Sequence, residues 1–289
     1  MLTLDPKLAF VIAHYNPDGK VPRDLFNLVT YIAKLSGNIV FVSTNITESE
    51  IKKLSPYAHV IARENFGYDF WSYKLGMQRL GDLRQLERIV FFNSSFITLD
   101  PEVLMSSFLK PVCGKALRGL TVSNNPKFHI QSYLFAFETS VLINSNEFKE
   151  WWEQMEPLSN RDEVISRYEI GMSDWFSKRG VPIKSALTLD QKDIVRSVCH
   201  ALVKRNWKIT DFTKILKMKL NFYLRIHRNL NPTHFFWMAV YNQSKILKVD
   251  LIKNNPTNQD LSKLFKHIDQ GQLALINDAI DVRLANGKH

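Results

Sequence analysis

An α/β fold with a mostly parallel sheet flanked by helices is the class that the sequence predicts. Three observations predict it. Short apolar runs recur through the first hundred residues, stretches of helical spacing lie between them, and polar clusters follow them where strands exit. Parallel strands need crossovers, and helices in those crossovers cover the faces of the sheet. With 289 residues, 45% of them apolar and 23% charged, the chain can bury a sizeable core and has ordinary globular composition.

The elements follow in order. Leu8-Ala-Phe-Val-Ile-Ala13 reads as a buried strand that runs into polar His14-Tyr-Asn-Pro-Asp-Gly19. From Pro22 to Leu35, the side chains Leu25, Leu28, Val29, Ile32 and Leu35 recur at helical spacing, with Gly37 as the stop. Asn38 to Thr44 is a second strand, and Thr47-Glu-Ser-Glu50 has the form of a capping box opening a short helix to Leu54. His59-Val-Ile-Ala62 is a third strand, Phe70 to Leu86 a helix, and Arg88-Ile-Val-Phe-Phe92 a fourth strand. Beyond Pro101 the pattern adds a strand at Ser132–Phe137 and helices at Ser145–Met155 and Glu163–Lys178, the last closed by Gly180. Residues 1–195 are therefore expected to form an α/β domain, with 196–289 a basic, mostly helical segment packed on it.

Ligands of such sheets bind outside the carboxyl ends of the strands. Three exits carry unusual polar content: Tyr15-Asn16, Arg63-Glu-Asn-Phe-Gly-Tyr-Asp69 and Asn93-Ser-Ser95. We expect one crevice to collect them.

The formal net charge is +10, which favours an anionic partner. Much of the excess lies between Arg196 and Leu230, where nine Lys and Arg residues face the single acid Asp211. Apolar residues interleave with those cations, as on helices that rest on anionic lipid; a helix packed on the α/β domain with solvated lysines fits equally. The aromatics form no recognisable nucleic-acid module, so no nucleic-acid partner is expected. Cys113 and Cys199 lack ligand or disulfide spacing and read as two buried free thiols. No signal-like start and no membrane-length apolar run occurs, which predicts a cytoplasmic protein.

The signatures of dinucleotide oxidoreductases, P-loop enzymes, common serine hydrolases and zincins are missing; transferases without a covalent nucleophile remain. Transfer from a nucleoside diphosphate requires groups that hold the nucleoside, neutralise the diphosphate and take a proton from the acceptor. The segment Arg63 to Gly76 offers a glycine turn, then an acid, a lysine and aromatics at a helix start, where phosphates bind well. Asp69 suits ribose hydroxyls or a helix cap, Lys74 and Arg63 suit a diphosphate, and Tyr68 suits a base. An ordinary capped helix with core aromatics is the competing reading.

The stretch Val60 to Gly76, taken with Ala13–Gly19, Val40–Asn45, Phe91–Ser95, Ile130–Tyr133, Tyr168-Glu-Ile-Gly171 and Asn231-Pro-Thr-His234, resembles the rhamnan synthesis protein F family. The resemblance implies a GT-A-like (Rossmann-like) glycosyltransferase of surface polysaccharides, O-antigens included. It would act on a nucleoside-diphosphate sugar and a lipid-linked glycan acceptor, at the inner face of the cytoplasmic membrane or beside other polysaccharide assembly proteins. Donor contacts then fall to Tyr15, Asn16, Arg63, Asn65, Gly67, Tyr68, Asp69, Lys74, Asn93, Ser94 and Ser95. Acceptor contacts fall to His129, Gln131 and Ser132. Glu169 is the expected general base, with Asp174 second, and His234 is a further candidate near the diphosphate.

GT-A enzymes usually place an Asp-x-Asp motif at the fourth strand's end to hold Mg or Mn, since hard cations take carboxylate oxygens. Here the family pattern Asn-Asp-Ser reads Asn93-Ser94-Ser95, so Ser94 replaces the carboxylate. Metal independence is the expectation, with Lys74 and Arg63 neutralising the leaving group.

Overall fold

The computed structural model describes residues 4–189, 192, 231–256, 259–262, 264–266 and 268–284. The basic segment 196–230 and Cys199 lie outside the described residues, so their sequence readings have no structural counterpart here.

A seven-stranded sheet forms the centre. Its first four strands are β1 (Leu8–His14), β2 (Asn38–Ser43), β3 (His59–Ala62) and β4 (Arg88–Asn93); β6 (Ala116–Gly119), β9 (Leu134–Glu138) and β10 (Ile183–Ser185) complete it, while β7 (Val122–Ser123) and β8 (His129–Ile130) pair with each other outside it. The spatial order is β10-β6-β9-β4-β1-β2-β3. β1 pairs in parallel with β2 and β4, β2 with β3, and β6 with β10, whereas β9 runs antiparallel to β4 and β6. The sheet is thus mostly parallel, as the alternating pattern requires. All seven residues of β1 are buried, which explains why it reads as a continuous apolar run instead of an alternating one.

The chain moves outward from β1 through β2 to β3, then returns to place β4 on the other side of β1. That reversal between β1 and β4 opens a crevice at their carboxyl ends, the place where open α/β sheets bind ligands. Helices cover both faces. Leu25, Leu28, Val29 and Ile32 of α1 (Arg23–Ile32) pack against Phe10, Ile12, Phe41 and Phe92 on one face. On the other, Phe70, Tyr73 and Met77 of α3 (Tyr68–Arg79) join Val11, Phe91, Phe135 and Trp152. Gly76 lets α3 approach closely, because a Cβ there would lie 2.3 Å from Val11 Cγ1.

Local signals and structure agree at the short helix α2 (Glu48–Leu54), whose cap Thr47 accepts from the Glu50 backbone N–H. They part elsewhere. α1 stops at Ile32, ahead of Gly37, because turn hydrogen bonds end it and Ser36 then donates its hydroxyl to the Leu8 carbonyl at 2.5 Å. The predicted helix Phe70–Leu86 breaks after Arg79, at Gly81 with φ +75°, and resumes as a 3-10 turn at Leu83–Gln85. The strand expected from Ser132 begins at Leu134. Cys113 is exposed, not buried.

The described part of the C-terminal segment is more than helical. Besides helices Pro232–Phe235, Trp237–Ser244, Val249–Lys253 and Gln270–Leu284, it supplies β11 (Ile246–Lys248), which pairs antiparallel with β5 (Phe96–Thr98), just past β4. Phe235, Phe236 and Trp237 are buried, as packing aromatics should be. Among the described residues, no helix is long and apolar enough to cross a membrane.

Candidate functional site

At the reversal between β1 and β4 the structure has a cavity of about 570 Å³. Its walls hold Tyr15 from the β1 exit, Tyr68 and Asp69 from the start of α3, and Asn93, Ser94 and Ser95 from the β4 exit. Gln131, Ser132 and Glu169 join them from the second half of the chain. With His234, ten of the residues expected from sequence therefore meet in one place.

Asp69 is held there by backbone geometry. Gly67 adopts φ +71° immediately before α3, and a Cβ at that position would lie 2.6 Å from Trp71 Cβ. Only glycine fits such a turn without strain. Arg63 organises the same loop. Its guanidinium donates to the carbonyls of Glu64, Phe66 and Tyr68 and to Ser72 Oγ, at 2.5 to 3.0 Å. Asn93 Nδ2 then donates to Asp69 Oδ2 at 2.7 Å, tying the α3 start to the end of β4. Burial pushes the Asp69 carboxyl above its usual range, opposed by the Asn93 hydrogen bond and by the cations Lys248 and Arg63.

Glu169 reaches the cavity from an irregular helix. Residues Arg161–Lys178 run as a helix interrupted by a π-turn at Ile165–Ile170, a feature frequent at functional sites. Inside that turn Tyr168 is buried and bonded to the Glu156 backbone, while the next residue, Glu169, points into the cavity. Ser132 Oγ donates to Glu169 Oε2 at 2.7 Å, and His129 Nε2 lies 3.5 Å from Oε1. Burial alone would raise the carboxyl's pKa, but the hydrogen bonds from His129 and Ser132 outweigh it and hold the group below its ordinary range. Glu169 is therefore ionised at neutral pH and open to a ligand, the two properties a proton acceptor needs.

Other expected residues sit elsewhere, and each has a physical reason. Arg63, Asn65 and Gly67 are not on the cavity wall; Arg63 and Gly67 shape the loop that presents Asp69. Lys74 corrects the diphosphate assignment, because its ammonium donates to the carbonyls of Glu153 and Met155 and the side chain lines a separate cleft near Trp152. Asn16 is buried and structural: its Oδ1 accepts from the backbone of Asp18 and Lys20, and its Nδ2 donates to the Val282 carbonyl. His129 stands behind Glu169 instead of on the wall. Asp174 is paired with Lys127 and Lys178 away from the cavity, which removes it as a base.

Sequence reasoning missed the cations. Lys248, Arg161, Lys253 and Arg283 all line the cavity, three of them from beyond residue 230. Lys248 Nζ donates to Ser95 Oγ at 2.6 Å and lies 4.4 Å over the Tyr133 ring. Burial lowers its pKa to about 8, with Glu169, Asp69 and Asp250 opposing that shift, so it stays mostly protonated at neutral pH. Arg283 donates to the Ser94 carbonyl at 3.1 Å and clamps the buried Asp24 with both terminal nitrogens. His234 also lines the wall, its pKa lowered by burial, with Asp250 3.6 Å away. No local pattern marks Lys248 or Arg283, because pairing of β11 with β5 and docking of the last helix bring them in. Asn231 carried a legible signal: it caps its helix and accepts from Gln131 Nε2.

The family model for rhamnan synthesis protein F matches residues 39–270, four fifths of the chain. The chain belongs to the rhamnan synthesis protein F family. It is 26% identical over 219 residues to the virulence protein VirA of Vibrio anguillarum, across 73% of this chain and 66% of that protein, so it spans just under two thirds of that relative. It is also 23% identical to the uncharacterized protein y4gN of Sinorhizobium fredii, over 96% of this chain and 78% of the other. Among solved structures, the glycosyltransferase GlyE of Streptococcus pneumoniae aligns with TM-score 0.46 at 12% identity, over 95% of this chain and 63% of that one. Glucosyl-3-phosphoglycerate synthase of Mycobacterium tuberculosis aligns with TM-score 0.33 at 10% identity, over 68% and 79%.

Proposed function

We propose that this rhamnan synthesis protein F relative is a glycosyltransferase. It moves rhamnose or another hexose from a nucleoside diphosphate to a growing lipid-linked surface glycan, with inversion, at the inner face of the cytoplasmic membrane. The observation that carries the reading is the convergence of Asp69, Asn93 and Glu169 on one cavity at the sheet's reversal point. Family membership supplies the polysaccharide context.

In this reading Asp69, fixed by Asn93, takes the donor's hydroxyls, and the exposed ring of Tyr68 or Tyr15 stacks on the base. Glu169 accepts the proton of the acceptor hydroxyl as its oxygen bonds to the anomeric carbon. The bond from that carbon to the diphosphate oxygen breaks, and the nucleoside diphosphate leaves with the electron pair. Ser132 and Gln131 lie beside Glu169 on the acceptor side.

Thermal unfolding of the full chain with dTDP, UDP, GDP and their sugars tests the donor class. One nucleotide should raise the transition temperature, since it binds the folded state. If none does, a non-catalytic scaffold of the same assembly replaces the enzyme. With the matching donor, Glu169→Gln should lower kcat by about 100-fold or more while leaving nucleotide affinity within about twofold. Equal turnover would remove Glu169 as the base.

A further inference from the structure

The residues at the β4 exit do not suit a divalent cation. Such ions take carboxylate oxygens, and Asn93-Ser94-Ser95 offers an amide and two hydroxyls. The carboxylate bonded to that exit, Asp69, already accepts from Asn93 through Oδ2. Among the described residues no three His, Cys, Asp or Glu side chains gather into a metal-binding group.

What the exit does hold is an ammonium. Lys248 donates to Ser95 Oγ at 2.6 Å, Ser95 Oγ donates to Asn93 Oδ1 at 2.5 Å, and Asn93 Nδ2 donates to Asp69 Oδ2 at 2.7 Å. This chain of donors orients the Ser95 hydroxyl and the Asn93 amide, and each bond polarises the next. Pairing of Lys248 with Phe96 in the β11–β5 ladder and its seat over Tyr133 fix the side chain from two further directions. A lysine holds phosphate as a point charge, with three donors to share between Ser95 and a ligand. Arg161 and Lys253 add charge to the same wall.

On the reading of the cavity as a nucleotide-sugar site, we propose that Lys248 neutralises the donor's diphosphate in place of a divalent metal ion. The C-terminal segment thereby supplies the group on which departure of the leaving nucleotide depends.

The test is calorimetric titration of the full chain with the nucleoside diphosphate selected by the unfolding screen, in EDTA and in Mg or Mn. Wild-type affinity should agree between those buffers to within about twofold. Lys248→Met should weaken diphosphate binding by about tenfold or more, because a charge-assisted hydrogen bond is lost. Lys248→Arg should recover most of it, and affinity for the unphosphorylated nucleoside should be the same in all three proteins. Binding abolished by EDTA and restored by Mn would overturn the proposal whatever the variants do. Undiminished diphosphate affinity in Lys248→Met would also overturn it, as would an equal loss for nucleoside and diphosphate. Should the wild type bind no nucleoside diphosphate in any buffer, the site reading itself fails, a result distinct from binding that needs metal.

Discussion

His14 shows how one buried side chain couples folding stability to pH. Its ring is 1% exposed, shares a hydrogen bond with Ser43 Oγ at 2.9 Å, and has its pKa lowered to about 3 by burial, with the Arg283 charge adding to the shift. The native ring is therefore neutral at pH values where the unfolded chain takes up a proton. Stability contributed by that ring is complete above about pH 6.5 and is lost as pH falls from there toward 3. Each unit corresponds to roughly 1.4 kcal/mol, so about 2 kcal/mol should go between pH 6.5 and 5. Urea unfolding at pH 7 and pH 5 should show that extra loss in the wild type and its absence in His14→Gln; equal slopes would show that the native ring titrates normally. At this scale sequence reading served unevenly. Asp69 was legible from its place at a strand exit, though a helix cap competed for it, and Glu169 from the family motif; the structure puts both on the cavity wall. Lys74 and Arg63 were misassigned because a long, flexible cationic side chain can satisfy carbonyls on any neighbouring loop.

Among elements, the turn into α3 carries the most information per residue. Gly67 and Gly81 both have positive φ, but only at Gly67 would a Cβ collide with a neighbour, Trp71. Gly67→Ala should therefore cost about 1–3 kcal/mol in urea unfolding and weaken nucleotide binding by displacing Asp69 from Asn93. Gly81→Ala adds backbone strain alone and should leave nucleotide affinity unchanged. Equal effects of the two on affinity would detach Gly67 from the site. The helices themselves were visible as apolar spacing, and the Thr47 cap was read to the residue, although the reciprocal half of the box is not made: the Thr47 N–H donates to the Gly19 carbonyl and Glu50 pairs with Lys53. Their ends were less so. Hydrogen bonds made across the fold, such as Ser36 to Leu8, decide where a helix stops, and the π-turn that aims Glu169 has no residue pattern of its own.

For the whole molecule, the decisive contact is the ion pair of Asp24 with Arg283, 259 positions apart, with side chains 1% and 9% exposed. It fastens the last described helix to α1 beside the cavity. Asp24→Ala leaves a buried guanidinium uncompensated and should destabilise the protein by roughly 3–5 kcal/mol, whereas Asp24→Leu with Arg283→Met should regain much of that loss. Urea unfolding of both variants checks it, and a double variant no better than the single one would count against the pair. The sequence by itself determined the four parallel strands β1 to β4, their crossovers and the three polar exits, because apolar periodicity and turn chemistry are local properties that each segment carries alone; the short strands β6 and β10 and the antiparallel course of β9 went unread. Only tertiary structure decided which cations face the ligand. Lys248 and Arg283 reach the β4 exit through a strand pairing and a helix docking that span more than 150 residues, and no spacing rule extends across contacts made by folding itself.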